Sequence, residues 1–210
     1  MDNQLLIILN KKLDENVASG IKDAEVLRNV LKEELQYYVL NFIYHHPIYS
    51  NWIMYGGSVL RICHNLDRMS IDLDFEINNS VTENFLNNLK KELENYFFSV
   101  YNFNSEILSI TLKNNRGLLL KFIIGDNLAV KYPSKQVHIK IDLNYFTASK
   151  TVYEKIPISH NQLSFVINTY NMSALMASKI AAIFLRGERG VGKDIYEEKM
   201  TIQEYLNLVN

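Results

Sequence analysis

Two segments of the chain alternate strictly between apolar and polar residues, a period of two that is typical of half-buried β-strands. The first is residues 71–77, with the sequence IDLDFEI, and the second is residues 137–145, with the sequence VHIKIDLNY. Because successive side chains of a strand point to opposite faces, Asp72 and Asp74 share one face of the first strand. Their Cα atoms then lie roughly 6.5–7 Å apart, from a rise of about 3.3 Å per residue. Asp142 belongs to the polar face of the second strand.

Helical spacing, further alternation and turn signals predict the elements around these two strands. The predicted helices cover residues 4–15, 23–46, 58–65, 82–98, 172–186 and 193–208, and the further strands cover 52–55, 108–112, 118–124 and 162–168. Ser80 or Thr82 is expected to cap the fourth helix. This mixture predicts an α+β fold, in which a mixed β-sheet is flanked by helices and the N-terminal and C-terminal helices form a partial helical domain. We expect a core at 1–168 and a helical segment at 169–210, interpreted as a truncated helical bundle.

The segment before the first of these strands contains a glycine-rich turn, Gly56-Gly57-Ser58, followed by room for one helix. Glycine lets the backbone approach a phosphate group closely. Ser58 is predicted to cap the following helix, whose N-terminus favours anions. The turn therefore predicts a phosphate site just before Asp72 and Asp74, although a Gly-Gly-Ser turn alone is also typical of an ordinary loop.

The paired carboxylates predict a cation site. Asp72 and Asp74 repel each other as anions unless a cation lies between them, and magnesium takes oxygen ligands from carboxylates and substrate phosphates. If the second strand lies beside the first, Asp142 completes a three-carboxylate cluster and Lys140 can reach a phosphate. The alternative for the second strand is an amphipathic edge strand whose polar residues are solvated.

The stretches GGSVLR, RMSIDLDFE, KID and KDIYE together resemble nucleotidyltransferases of the DNA polymerase β superfamily. More narrowly, they are similar to the AbiEii-type abortive-infection toxins and their MenT relatives. Arg68, Ser70, Asp72 and Asp74 match the R-x-S-x-D-x-D stretch of that family. The similarity is strong over residues 50–80 and looser over the later motifs.

The resemblance implies a two-metal nucleotidyl transfer. Asp72, Asp74 and Asp142 would bind two Mg²⁺ ions, with Mn²⁺ as an alternative, and Asp142 would also help to activate the attacking hydroxyl. Lys179 and Asp194 complete the catalytic set that the resemblance implies. The implied nucleotide-binding residues are Gly56, Gly57, Ser58, Arg68, Ser70, Lys140 and Lys193.

The later motifs depart from the family pattern and leave alternatives open. Ala174 stands where the family usually has a serine, and Glu197 where it usually has an aspartate. Lys179 is equally consistent with a solvated residue on an apolar helix, and Asp194 with a residue that stabilises a helix N-terminus.

Composition limits the cellular compartment and the kind of partner that the chain is expected to have. The chain has 210 residues, 48% of them hydrophobic, and a single cysteine, so an internal disulfide is excluded and a reducing compartment is favoured. We expect a cytoplasmic protein without membrane contact, because neither a signal peptide nor a transmembrane stretch is evident. The net charge is −1, but residues 101–150 carry seven basic and three acidic residues. Such a segment is suited to guiding a polyanion such as RNA, although an uneven solvated surface has the same composition.

Three functions follow from the resemblance. The first is a Mg²⁺-dependent toxin that transfers NMP from an NTP to RNA, at the tRNA 3′ end, in a toxin–antitoxin or abortive-infection phage defence with a cognate antitoxin. The second is a nucleotidyltransferase for a small molecule such as an aminoglycoside. The third is a non-catalytic nucleotide-binding module, which the intact aspartate trio disfavours.

Overall fold

The computed structural model describes residues 3–128, 136–145 and 152–187. The predicted helix at 193–208, and with it Lys193, Asp194 and Glu197, lies outside the described residues. None of the described helices is long and apolar enough to cross a membrane.

The described residues form five α-helices and seven β-strands. The helices are α1 (Gln4–Ala18), α2 (Ala24–His45), α3 (Gly57–His64), α4 (Glu83–Tyr101) and α5 (Met172–Gly187). The strands are β1 (Ile53–Tyr55), β2 (Asp72–Ile77), β3 (Leu108–Lys113), β4 (Gly117–Ile123), β5 (Gln136–Tyr145), β6 (Tyr153–His160) and β7 (Leu163–Tyr170). Each helix and strand predicted within the described residues is present, with its ends shifted by a few residues.

The strands form one mixed sheet in the order β3-β4-β5-β2-β1-β7-β6. β2 pairs in parallel with β5 and antiparallel with β1, which itself pairs in parallel with β7. This sheet, with its flanking helices, confirms the predicted α+β class. The sequence pattern did not predict β6, which contains Pro157 and has few buried residues. Its position at the edge of the sheet explains both features, because an edge strand tolerates a residue that cannot donate a backbone hydrogen bond.

The apolar faces of β2 and β5 are buried, as their alternation predicted. Leu73 and Phe75 of β2 are fully buried in the same core as Leu31 and Leu35 of α2. Two terminal positions of the predicted apolar faces are exposed instead, since Ile71 precedes β2 and Tyr145 ends β5. α2 contacts β5 and β7, and α4 contacts β3 and β4, so these helices cover the apolar side of the sheet. The polar face of β2 and β5 is therefore available for a site.

Local hydrogen bonds explain where the two long helices begin. The Asp23 side chain accepts hydrogen bonds from the backbone N–H groups of Glu25 and Val26, at 2.8 and 3.0 Å. The Thr82 hydroxyl accepts one from Phe85 N–H at 3.2 Å, which confirms Thr82 rather than Ser80 as the cap of α4. Each bond satisfies a donor that the first turn of a helix leaves unpaired.

Glu34 joins α2 to the far edge of the sheet. Its buried carboxylate lies 2.9 Å from His160 Nε2 and accepts a hydrogen bond from Asn161 Nδ2 at 2.8 Å. The Tyr37 ring stacks on His160 with 3.6 Å between ring centroids. One side chain of α2 thereby holds the turn between β6 and β7.

Replacing Glu34 with Ala is expected to lower the free energy of unfolding by about 2–3 kcal/mol, because two bonds to a buried carboxylate are lost. Chemical denaturation measures the change. Glu94→Ala is the matched control, since Glu94 forms only a partly exposed pair with Lys90 across 3.8 Å, and it should cost less than about 0.5 kcal/mol. Equal effects of the two substitutions would contradict a structural role for Glu34.

Candidate active site

Strand pairing places the three aspartates together. In the parallel pair of β2 with β5, Asp74 lies directly beside Asp142, and Asp72 lies beside Lys140. On its other side, β2 pairs with β1 so that Tyr55 lies beside Asp74. The hypothesis that β5 runs next to β2 is confirmed, and the alternative of a solvated edge strand is wrong, because β5 lies between β4 and β2.

The glycine turn packs directly against Asp74. Gly56 has φ 83°, a left-handed conformation that residues with side chains rarely adopt, and it precedes the first turn of α3. A Cβ atom at this position would lie 2.7 Å from Asp74 Oδ2, and one at Gly57 would lie 2.9 Å from Ser70 Oγ. Gly56 is therefore favoured both by its backbone conformation and by its close approach to Asp74, whereas Gly57 is favoured only by its close approach to Ser70.

Ser58 has a different role from the one that its position predicted. The N-cap of α3 is Gly56, without a side-chain hydrogen bond, so the prediction that Ser58 caps this helix is wrong. Its side chain is fully buried. The hydroxyl donates to the backbone carbonyl of Asp72 and hydrogen-bonds with Ser70 Oγ at 3.0 Å. Ser58 thus ties α3 to the start of β2, which leaves its backbone N–H, rather than its hydroxyl, as the group suited to a phosphate.

A polar pocket of about 250 Å³ lies beside the turn. Its lining includes Gly57, Arg68, Ser70, Asp72, Asp74 and Lys179. Lys179 comes from α5, more than a hundred residues after Asp72 and Asp74, and its charge lowers the pKa of Asp74. The predicted site residues within the described ranges therefore lie close together. Some line this pocket, and the others belong to the glycine turn or to the paired strands β2 and β5.

Burial and mutual repulsion govern the charges of the carboxylates. Burial, together with the neighbouring Asp142 and Asp72, raises the pKa of Asp74 to about 6, against the opposing charges of Lys140 and Lys179. Burial also raises the pKa of Asp72, against the attraction of Lys140. The Lys140 ammonium donates to the carboxylate of Asp142, and this bond raises the pKa of Lys140. A cation placed between the carboxylates would relieve their repulsion.

The chemistry of these donors fits magnesium, which prefers carboxylate oxygens and substrate phosphates. Among the described residues, no group of three or more His, Cys, Asp or Glu side chains is close enough together to hold one ion. Asp142 instead pairs with Lys140. Binding of an ion by all three aspartates therefore requires these side chains to rearrange, and their role as ligands stays a prediction.

α2 contributes residues that the sequence analysis missed. The buried Gln36 side chain donates to the backbone carbonyls of Ser70 and Ile71, at 3.0 and 3.2 Å, and so positions the start of β2. Lys32 lies one helical turn earlier, and its charge lowers the pKa of Asp72. The available signal was a set of polar residues spaced by four along the helix, which places them on one side of it.

A second pocket lies further along the same polar face. It has a volume of about 330 Å³ and is lined by Tyr55, Glu76, Asn144, Tyr145, Tyr170 and Ser178. Glu76 and Asn144 pair with each other in register, two residues beyond Asp74 and Asp142. The Tyr170 hydroxyl donates to Glu76, and the Asn144 amide donates to the Tyr55 hydroxyl. This pocket combines aromatic rings with hydrogen-bonding groups immediately beside the carboxylates.

A protein-family model matches the part of the chain that contains this site. The model of the family described as nucleotidyl transferase AbiEii toxin, type IV toxin–antitoxin system, matches residues 40–196. The matched segment includes the glycine turn, the three aspartates and Lys179. A search of curated protein sequences finds no match to the chain.

Proposed function

Because the chain belongs to the AbiEii family of nucleotidyl transferase toxins of type IV toxin–antitoxin systems, we propose that it transfers NMP from an NTP to an RNA acceptor. The acceptor we propose is the 3′ end of tRNA, and the biological setting is abortive-infection phage defence. Family membership also implies a cognate antitoxin as a partner.

The observation that carries this proposal is the register of Asp74 beside Asp142, with the glycine turn packed against Asp74. The first turn of α3 leaves backbone N–H groups of Gly57 and Ser58 unpaired at its positive end, where they suit the β- and γ-phosphates. Triphosphate and carboxylates would thus lie side by side, which is the arrangement that nucleotidyl transfer requires.

Charged residues of the pocket and of the adjacent strand β5 have roles in the proposed reaction. The acceptor hydroxyl oxygen forms a bond to the α-phosphorus of the NTP, while the bond from that phosphorus to the α,β-bridging oxygen breaks and pyrophosphate leaves. Asp142 accepts the proton of the attacking hydroxyl. Lys179 and Arg68 line the phosphate pocket and offset the negative charge of the leaving group.

The proposed cofactor is Mg²⁺, as two ions held by Asp72, Asp74 and Asp142. When bound, it would neutralise the attacking and leaving oxygens of the displacement. Mn²⁺ prefers similar oxygen ligands and is the alternative ion.

The pocket lined by tyrosines is suited to the nucleoside of the NTP. Tyr145 is 60% exposed at the end of β5, so its ring is free of the core and can stack on a base. The Asn144 amide supplies a hydrogen-bond donor and an acceptor for the edge of a base, and the Glu76 carboxylate supplies acceptors. Glu76 and Asn144 of this pocket lie two residues beyond Asp74 and Asp142 on the same strands, so the nucleoside would lie next to the reacting phosphate.

RNA fits this site better than an aminoglycoside. Lys32 of α2 lowers the pKa of Asp72, and Lys121 of β4 pairs in register with His138 on the polar face of β5. Such a surface attracts a polyanion and repels a polycation. This observation favours a nucleic-acid acceptor over the small-molecule alternative.

Incubation with Mg²⁺, each labelled NTP in turn and either total tRNA or a panel of aminoglycosides tests the proposal. We expect label on tRNA and none on the aminoglycosides, with no transfer when EDTA is present. Label on an aminoglycoside alone would support the small-molecule reaction instead. NTP binding without transfer to any acceptor would identify a non-catalytic module and overturn the proposed activity.

A further inference from the structure

One stripe of α2 carries polar side chains towards the start of the aspartate strand. Arg28, Lys32 and Gln36 are spaced by four residues and therefore lie on the same side of the helix. Gln36 is anchored to the backbone of Ser70 and Ile71, which fixes this side of α2 against the segment entering β2. Lys32 is consequently near Asp72, and Arg28 follows one turn further out.

β4 and β5 bring further basic groups to the same place. Lys121 pairs in register with His138, and Lys140 lies two residues further along β5, beside Asp72. Because alternate residues of a strand share a face, His138 and Lys140 project from the same side as Asp142. Arg28, Lys32, Lys121 and His138 therefore form one basic cluster next to Asp72, contributed by three elements.

The acidic groups that attract the cluster, Asp72 and Glu25, act on Lys32 and are outweighed there by burial and by Arg28. Burial lowers the pKa of Lys32, and the neighbouring Arg28 lowers it further. Burial likewise lowers the pKa of His138, with Lys121, Lys32 and Arg28 acting in the same direction. Arg28 Nε is buried and has no hydrogen-bond partner. An anion bound here would accept that unused hydrogen bond and relieve the repulsion among the basic groups.

The position of the cluster indicates which anion it binds. In the sheet order β4-β5-β2-β1, the cluster lies on the β4 and β5 side of the aspartates, whereas the glycine turn follows β1. The attacking and leaving oxygens of an in-line displacement lie on opposite sides of the phosphorus. With the triphosphate at the glycine turn, the acceptor approaches from the basic cluster.

We propose that Arg28, Lys32, Lys121 and His138 form a binding subsite for backbone phosphates of the RNA acceptor, next to the hydroxyl that is modified. This inference rests on the proposed function and adds to it the residues that hold the acceptor. The subsite recognises phosphodiesters rather than bases, so it contributes affinity and position and leaves sequence selection to other contacts.

Binding measurements test the subsite without any need for catalysis. Fluorescence anisotropy of labelled tRNA should show affinity about five- to tenfold weaker for Lys32→Ala and for Lys121→Ala than for the original chain. The slope of log K against log salt should become shallower by about 1 for each lost phosphate contact. Lys90→Ala is the matched control, because Lys90 lies on α4 and pairs with Glu94 outside the cluster. It should leave both quantities unchanged.

The outcomes separate the subsite from the activity. Unchanged tRNA affinity and salt slope in both variants, with normal thermal unfolding, would overturn the subsite. If a variant raised the KM for NTP and left tRNA binding unchanged, the cluster would bind the triphosphate, and the proposed subsite would also be overturned. The unsubstituted protein could transfer no nucleotide while either substitution still weakens tRNA binding. That result would refute the proposed activity and support the subsite. Two positions on different elements are used so that misfolding of one variant leaves the other informative.

Discussion

Replacing Asp74 with Asn is expected to reduce nucleotide transfer about a thousandfold or more. The substitution keeps the shape of the side chain but removes the most buried charge of the proposed metal site, and such charge stabilisation is worth several kcal/mol in a transition state. Single-turnover transfer of labelled NMP to tRNA measures the loss. Asp14→Asn, which makes the same change at an exposed position of α1, should keep activity within about twofold.

The same substitution should not destabilise the fold, and this separates a catalytic from a structural role. The ordinary pKa of 3.8 is raised to about 6 in the folded chain, so the folded state holds a proton on Asp74 more tightly than the unfolded state does. The resulting stabilisation is fully present below about pH 3.8 and is lost as the pH rises through about 6. At pH 7 the ionised carboxylate is therefore unfavourable when no cation is bound.

Asp74→Asn should accordingly raise the free energy of unfolding at pH 7 without Mg²⁺, by an amount on the order of 2 kcal/mol. It should also flatten the decline in stability between pH 4 and pH 6. Denaturant unfolding across this range, in EDTA, measures both effects. A variant that is inactive because it is unfolded, or one that keeps full activity, would contradict the role proposed for Asp74.

Replacing Gly56 with Ala is expected to damage both stability and activity. The new Cβ would lie 2.7 Å from Asp74 Oδ2, and the backbone at φ 83° is strained for any residue with a side chain. We expect the free energy of unfolding to fall by about 2 kcal/mol or more. Transfer should fall about a hundredfold, because displacement of a reacting group by an ångström has an effect of that size.

Gly20→Ala is the matched control for backbone strain. Gly20 has a similar φ of 96°, but a Cβ there would have no neighbour within 4 Å. Its substitution should cost about 1 kcal/mol in stability and leave transfer unchanged. If Gly56→Ala behaved like Gly20→Ala in both assays, the close packing of the turn on Asp74 would be irrelevant to the reaction.

Parts of the site were predictable because they depend on local spacing. The alternation in residues 71–77 and 137–145 assigned the aspartates to polar faces, and the structure places those faces opposite a buried core. The glycine turn was likewise recognised from its composition. Ser58 shows the limit of this reasoning, since its position predicted a cap whereas its hydroxyl is buried against Asp72.

The sequence by itself determined the described helices and every described strand except β6, the polar face of each aspartate strand and the resemblance to one family of nucleotidyl transferases. These depend on residues within a few positions of one another, where the periods of helix and strand apply. Only the tertiary structure decided that β5 lies beside β2 with Asp142 next to Asp74, that Gly56 packs on Asp74, and that Lys32 of α2 acts on Asp72. Those arrangements depend on which apolar faces pack into one core across long stretches of chain. The local spacing of residues does not specify this packing.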